Sequence, residues 1–184
     1  MSAAAETSPS EEMRSKLNHP ELDRDGHFIE FMPYYMDFVE EVGGAPMVET
    51  FRQNRIGEIR MSPSEWHNMS REQRQHQLRW RRPFYALPTK LVQDRATSML
   101  PRLLYRRMDE LGVDFSVLYP TLGLDMLFIK NDEVRHAACR ALNKMNANVW
   151  AEFFARMAPV AAIPTIPPEE GVAELDYAIG ELGL

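Results

Sequence analysis

The sequence predicts an α/β fold in which short parallel strands alternate with full-length helices. Three observations carry this reading. Residues 113–119 and 160–163 are short, apolar and rich in β-branched side chains, with turn-forming or proline residues at their borders. The stretch between them is long enough for a crossover helix and shows a helical apolar stripe. A further amphipathic segment follows the second of them. Strands joined through a full helix lie parallel, with right-handed crossovers. Both the open doubly wound sheet and the (β/α)8 barrel are built from this unit, and periodicity alone does not choose between them.

Taken in order, residues 1–18 are rich in Ser, Ala and Glu and read as a disordered or loosely attached leader. They lack the apolar stretch of a signal peptide. Residues 19–184 form the folded part, with a polar insertion at about 45–93 that holds Trp66 and Trp80. Within it, residues 71–82 are a basic run in an otherwise acidic chain. The run fits a solvated helix face, or a lid or subunit contact whose Arg79, Arg81 and Arg82 meet an anionic substrate.

Residues 95–111 carry Leu100, Leu103, Leu104, Met108 and Leu111 on one helical face, with Pro101 tolerable only near a helix start. Gly112 is the stop signal, and the strand at 113–119 ends at Pro120. Asn131 can cap the next helix, with Asp132 and Glu133 in its first turn. Its buried stripe is Val134, Ala138, Ala141, Leu142, Met145, Val149, Phe153 and Met157, and Pro159 lies beyond its end. The strand at 160–163 is apolar throughout, as a strand covered on both faces should be. Pro167 and Pro168 open a last helix with the stripe Val172, Leu175, Ile179 and Leu182.

The chain of 184 residues has a hydrophobic share of 45% and a net charge of −6. That charge argues against generic nucleic-acid binding, and no segment is apolar for long enough to span a membrane. A single cysteine, Cys139, rules out an internal disulfide and suits a reducing compartment, so a cytoplasmic protein is the expectation. Cys139 reads as a small core residue, without a nearby base that would make it a nucleophile.

The stretch most informative about chemistry is Leu22-Asp23-Arg24-Asp25-Gly26-His27-Phe28-Ile29-Glu30. On an extended strand Asp25 and His27, two residues apart, point to the same face. A carboxylate and an imidazole so placed can reach one divalent metal, with ligand bonds of about 2.0–2.2 Å. Gly26 leaves room for close backbone approach. The same residue types also suit a turn shaped by Asp23 and Asp25 with His27 packed locally. Glu30 reads as a surface residue or an outer support of the site.

This stretch resembles the first-strand motif of the amidohydrolase-related family that includes aminocarboxymuconate-semialdehyde decarboxylase and the resorcylate decarboxylases. There the first strand ends in His-x-His or in a variant that begins with a carboxylate. The run from Asp109 through Gly112 and Asp114 to Thr121 is similar to that family's second strand and its approach. Cys139 to Asn143 resembles the helix that follows, and Ala161 to Ile166 with Gly171 to Leu175 the third strand and its helix. The resemblance implies a partial (β/α)8 barrel of the metal-dependent hydrolase type, truncated after about the third strand and helix. It implies Asp25 and His27 as ligands of a divalent metal, zinc or manganese. Tyr119, Thr121 and Thr165, at strand ends, become weak candidates for contact with substrate.

The activity implied is hydrolysis or non-oxidative decarboxylation of a small carboxylic acid by the complete barrel, as a homo-oligomer. The family's other ligands, a histidine on the fifth strand and an aspartate on the eighth, have no counterpart here. His67, His76 and His136 do not fall at strand ends. The 184 residues alone are therefore expected to be inactive and prone to self-association. The alternative is a non-catalytic α/β fragment or interaction module.

Overall fold

The computed structural model describes residues 7–54, 56, 70–76 and 91–184. Three strands, β1 (Leu22–Phe28), β2 (Phe115–Pro120) and β3 (Met157–Pro159), form one parallel sheet in the order β1-β2-β3. The helices are α1 (Pro9–Arg14), α2 (Met32–Gln53), α3 (Arg71–His76), α4 (Val92–Thr97), α5 (Pro101–Leu111), α6 (Asp132–Trp150) and α7 (Pro168–Gly180). The α/β class with parallel neighbouring strands is thus the observed one. No helix among the described residues is long and apolar enough to cross a membrane.

Where the composition suggests a loose leader, residues 9–14 form a short helix. Its capping box pairs Ser8 with Glu11, and it is tied to the body through Arg14 and Asp114, 2.5 Å apart. Arg14 lowers the pKa of the Asp114 carboxyl, helped by the Glu21 N–H. A depressed carboxylate contributes stability above its unfolded value of about 3.9 and loses it as pH falls through the folded value. Acidification below about pH 4 should therefore loosen α1 early. Hydrogen exchange of residues 9–17 across an acid series checks this, and unchanged protection relative to α6 would contradict it.

α2 begins before the expected polar insertion and runs into it. Gly44 interrupts it with φ 69°, a left-handed conformation that favours glycine, and Pro46 follows. Beyond the break Met47, Val48 and Phe51 enter the core, so residues 45–53 are structural. Part of the arginine run forms α3, with Ser70 and Gln73 capping each other. Trp66, His67, Trp80, Arg79, Arg81 and Arg82 lie outside the described residues.

The helix expected at 95–111 is two, α4 and α5. Pro101 takes the first turn of α5, as its missing N–H requires, and Gly112 ends it in the left-handed conformation with φ 75°. α6 begins as expected, the Asn131 side chain accepting from the Val134 N–H at 3.0 Å. It stops at Trp150, earlier than its apolar stripe suggests. Phe153 sits in a 3-10 turn and Met157 opens β3, three residues before the expected strand. Both residues stay buried in their new roles. Beyond β3 the Val160 N–H still reaches the Leu118 carbonyl at 2.9 Å, so the ladder continues by one bond.

Two apolar clusters flank α6. Phe28, Leu118 and Met157 from the three strands pack with Met108 of α5 and with Trp150 and Phe153. Tyr35, Val39, Met47, Val48 and Phe51 of α2 pack with Ala138, Cys139, Ala141, Leu142 and Met145 of α6. The alternate residues of β2, Phe115, Val117 and Tyr119, are only half-buried. The sheet is therefore packed by helices on one face and partly open on the other. Cys139 is fully buried and its thiol is pushed up to about 12 by burial. A thiol reagent should leave the native protein unlabelled and modify Cys139 stoichiometrically in denaturant. Prompt labelling in buffer would contradict this packing.

α7 differs most from its sequence pattern. Its expected stripe points outward, with Val172 61%, Leu175 45% and Ile179 61% exposed, while Gly171, Glu174 and Ala178 are buried. Burying an aliphatic side chain of this size contributes about 1.5–3 kcal/mol, so something must hold the helix in this rotation. Glu174 does so. It is fully buried and accepts from Arg140 Nε at 2.6 Å and Asn143 Nδ2 at 2.8 Å. Arg140 also lies over the Tyr177 ring, 3.6 Å from its centroid. Polar groups of α6 thus choose the face that α7 presents to solvent.

Candidate metal and substrate site

The strand β1 owes its position to hydrogen bonding with β2, since its own residues are mostly polar. Its register runs Leu22 opposite Phe115, Asp23 opposite Ser116, then Gly26 opposite Leu118 and His27 opposite Tyr119. A bulge separates Asp23 from Gly26 and carries Arg24 and Asp25. The bulge is built from Asp23, which accepts from the Asp25 N–H at 3.1 Å and from Ser116 Oγ at 3.0 Å. Gly26 is required there. A Cβ would overlap Ser116 Oγ and come within 2.7 Å of Asp23 Oδ2 and 2.9 Å of the Val117 carbonyl.

Because of the bulge, simple two-residue alternation no longer decides where Asp25 points, yet Asp25 and His27 still converge. Asp25 Oδ1 lies 3.7 Å from His27 Nε2, with side-chain exposures of 91% and 28%. Two ligand atoms on one tetrahedral ion, with bonds of about 2.1 Å, stand about 3.4 Å apart. The pair therefore fits a shared divalent cation after a small side-chain adjustment. Among the described residues no group of three or more His, Cys, Asp or Glu side chains converges in the manner of a complete metal centre. This chain offers two donors of the right chemistry at the right spacing.

Tyr119 stands next to them, its ring centroid 5.9 Å from that of His27 at an interplanar angle of 35°. Thr121 is buried, with no hydrogen-bond partner for its hydroxyl among the described residues. Thr165 is exposed on the loop between β3 and α7. That loop is held by Arg135, which donates to the Ile166 carbonyl and to Asp132, and by Asn143, which exchanges two hydrogen bonds with the Ala162 backbone. Of the five sequence candidates, Asp25, His27 and Tyr119 are brought together. His136 is on α6, where its Nε2 lies 3.8 Å from Glu174.

Glu30 is the residue whose role the sequence hides. It is buried, and its carboxylate accepts from three successive N–H groups, those of Thr121 at 3.2 Å, Leu122 at 2.9 Å and Gly123 at 2.7 Å. Burial raises its pKa above the ordinary carboxylate value, against the opposing effect of these bonds. It ties the end of β1 to the loop after β2, and so fixes Tyr119 beside His27. The signal available in the sequence is slight: a glutamate just past one strand, and a glycine just past the next. No family model, curated protein or solved structure matches the chain.

Proposed function

We propose that Asp25 and His27 are two ligands of a divalent metal, zinc or manganese, in a hydrolase or non-oxidative decarboxylase of the amidohydrolase-related type acting on a small carboxylic acid. The observation that carries this is the 3.7 Å approach of Asp25 Oδ1 to His27 Nε2 near the C-terminal end of a first parallel strand. In (β/α)8 barrels, sites are built at that end. The sequential order β1-β2-β3 and the helix packing on one sheet face are compatible with a barrel segment, and equally with the first half of a doubly wound sheet. When bound, the metal supplies a Lewis acid and a water of lowered pKa. The chain's own residues hold that ion and, through Tyr119, line the approach to it. In this reading a complete barrel carries the activity, and the described residues supply three of its strands.

A second reading, a non-catalytic interaction module, is favoured by the outward apolar face of α7 and by the presence of two donors where catalytic zinc sites use three. Assays of zinc- and manganese-loaded protein against carboxylic acids and amides separate the two. The enzyme reading expects metal-dependent turnover in an assembly that supplies the remaining ligands, and none from monomeric residues 1–184. Turnover that survives both Asp25→Ala and His27→Ala would remove these residues as the ligands, and absence of turnover in every metal-loaded assembly would remove the enzyme reading.

A further inference from the structure

We propose that Asp23 is the positioning residue of the Asp25–His27 pair: its carboxylate, braced by Ser116, shapes the bulge in β1 and so sets the spacing of the two cation donors. The consequence for a cation rests on the metal reading above, while the cause lies in the geometry of β1 alone.

On an unbroken strand Asp23, Asp25 and His27 would share one face, each two residues from the next. The bulge separates them. From Asp23 to Gly26 β1 advances three residues, while its partner β2, from Ser116 to Leu118, advances two. Ser116 and Leu118, alternate residues of β2, are both buried on the face that the helices cover. The extra residue therefore turns Asp23 to the packed face, whereas His27, opposite Tyr119, stays on the half-open one.

On the packed face Asp23 is held at both oxygens. Oδ2 accepts from Ser116 Oγ at 3.0 Å, in space that Gly26 leaves free: a Cβ at Gly26 would come within 2.4 Å of Ser116 Oγ and 2.7 Å of Asp23 Oδ2. Oδ1 accepts from the Asp25 N–H at 3.1 Å, the turn that an aspartate side chain forms with the N–H two residues on. Arg24 and Asp25 fall outside the register with β2, so this bond stands where a ladder bond would be. The Asp25 side chain is 91% exposed and has little packing to hold it. Its place 3.7 Å from His27 Nε2 then depends on the backbone beneath it. Order present before a ligand arrives lowers the cost of binding, because less freedom is lost on association.

A carboxylate near a cation can act through its charge or through the hydrogen bonds it makes. Asp23→Asn separates the two. Its amide oxygen still accepts from the Asp25 N–H, and its NH2 donates to the Ser116 hydroxyl, which accepts as readily as it donates.

The test begins with nuclear Overhauser spectra of the metal-free intact chain. The cross-peak between the Asp25 β protons and the His27 ring is expected in the native chain and in Asp23→Asn, and should be lost in Asp23→Ala. Ser116→Ala removes only the brace and should weaken the cross-peak, which keeps the test decisive if Asp23→Ala fails to fold. Zinc titration of the same samples should find Asp23→Asn within about twofold of the native chain and Asp23→Ala weaker by about tenfold, the low end of what losing a residue that supports metal ligands costs. An unchanged cross-peak in both alanine variants would overturn the proposal. So would an Asp23→Asn protein as weak as Asp23→Ala, which assigns the effect to charge. Zinc affinity that persists after the cross-peak is lost breaks the link between bulge and cation. A native chain that shows the expected cross-peak pattern but takes up no zinc removes the metal reading and keeps Asp23 as the residue that sets the pair.

Discussion

Glu30→Ala is expected to destabilise the protein by about 3–5 kcal/mol, because it leaves three buried N–H groups without an acceptor at about 1–3 kcal/mol each, with partial relief from entering water. Few other single changes to this chain should cost as much. The groups concerned are successive donors of residues 121–123, and among the described residues no other side chain accepts from them. Gly123 lies against Leu142 of α6, so the loop cannot move inward to find new partners. Glu30→Gln keeps the shape but sets an amide NH2 among donors, and should cost less than alanine and more than nothing. Urea unfolding of the three proteins checks the order. A loss below about 1 kcal/mol for alanine, against a typical stability of about 5–15 kcal/mol, would show that the loop is not held by this carboxylate. The same variant should broaden or shift the Tyr119 ring resonances, since the tether sets their place beside His27.

The second large effect concerns the metal. Asp25→Ala and His27→Ala should each lower zinc affinity more than tenfold, a loss above about 1.4 kcal/mol, while leaving the fold intact. Asp25 is 91% exposed, so its removal disturbs no packing. His27 is more enclosed and touches the Tyr119 ring, so its substitution is the less neutral of the two. Asp25→Asn serves as the control for shape, because it retains the hydrogen-bonding outline and removes the charge. Isothermal titration with zinc, beside thermal melts of each variant, separates loss of a ligand from loss of structure. Equal affinity in the native chain and Asp25→Ala would assign any bound zinc to other residues.

Much of the architecture could be read from local signals. Asn131 caps α6, Gly112 ends α5 and Pro101 opens it, because each depends on the backbone chemistry of one residue. The parallel relation of β2 and β3 follows from a crossover too long for a hairpin. What could not be read depended on contacts distant in sequence. The stripe Val172, Leu175 and Ile179 has the period of a buried face, and it is overruled by Glu174 meeting Arg140 and Asn143 of another helix. The stripe of α6 continues through Phe153 and Met157 without a break, although the chain changes conformation between them. Periodicity records that a residue is buried, not which element buries it.

The site shows the same division. The nearness of Asp25 and His27 was legible from their two-residue spacing, although the bulge breaks the alternation expected to align them, and Tyr119 was legible because it stands at the end of the next strand. The bulge at Arg24 and Asp25 was not, as it arises from Asp23 bonding to Ser116 across the sheet. Nor was the burial of Glu30, which needs donors 91 to 93 residues away along the chain.

The most direct measurement is a long-range proton–nitrogen correlation spectrum of the histidine imidazoles, recorded while zinc is added to the native chain and to Asp25→Ala. The structure predicts that His27 Nε2, the nitrogen that faces Asp25, shifts first and saturably in the native chain, and that the shift weakens in the variant. His19 and His136 should follow only at higher zinc. An unperturbed His27, or a His27 response identical in Asp25→Ala, would contradict a metal shared by these two residues.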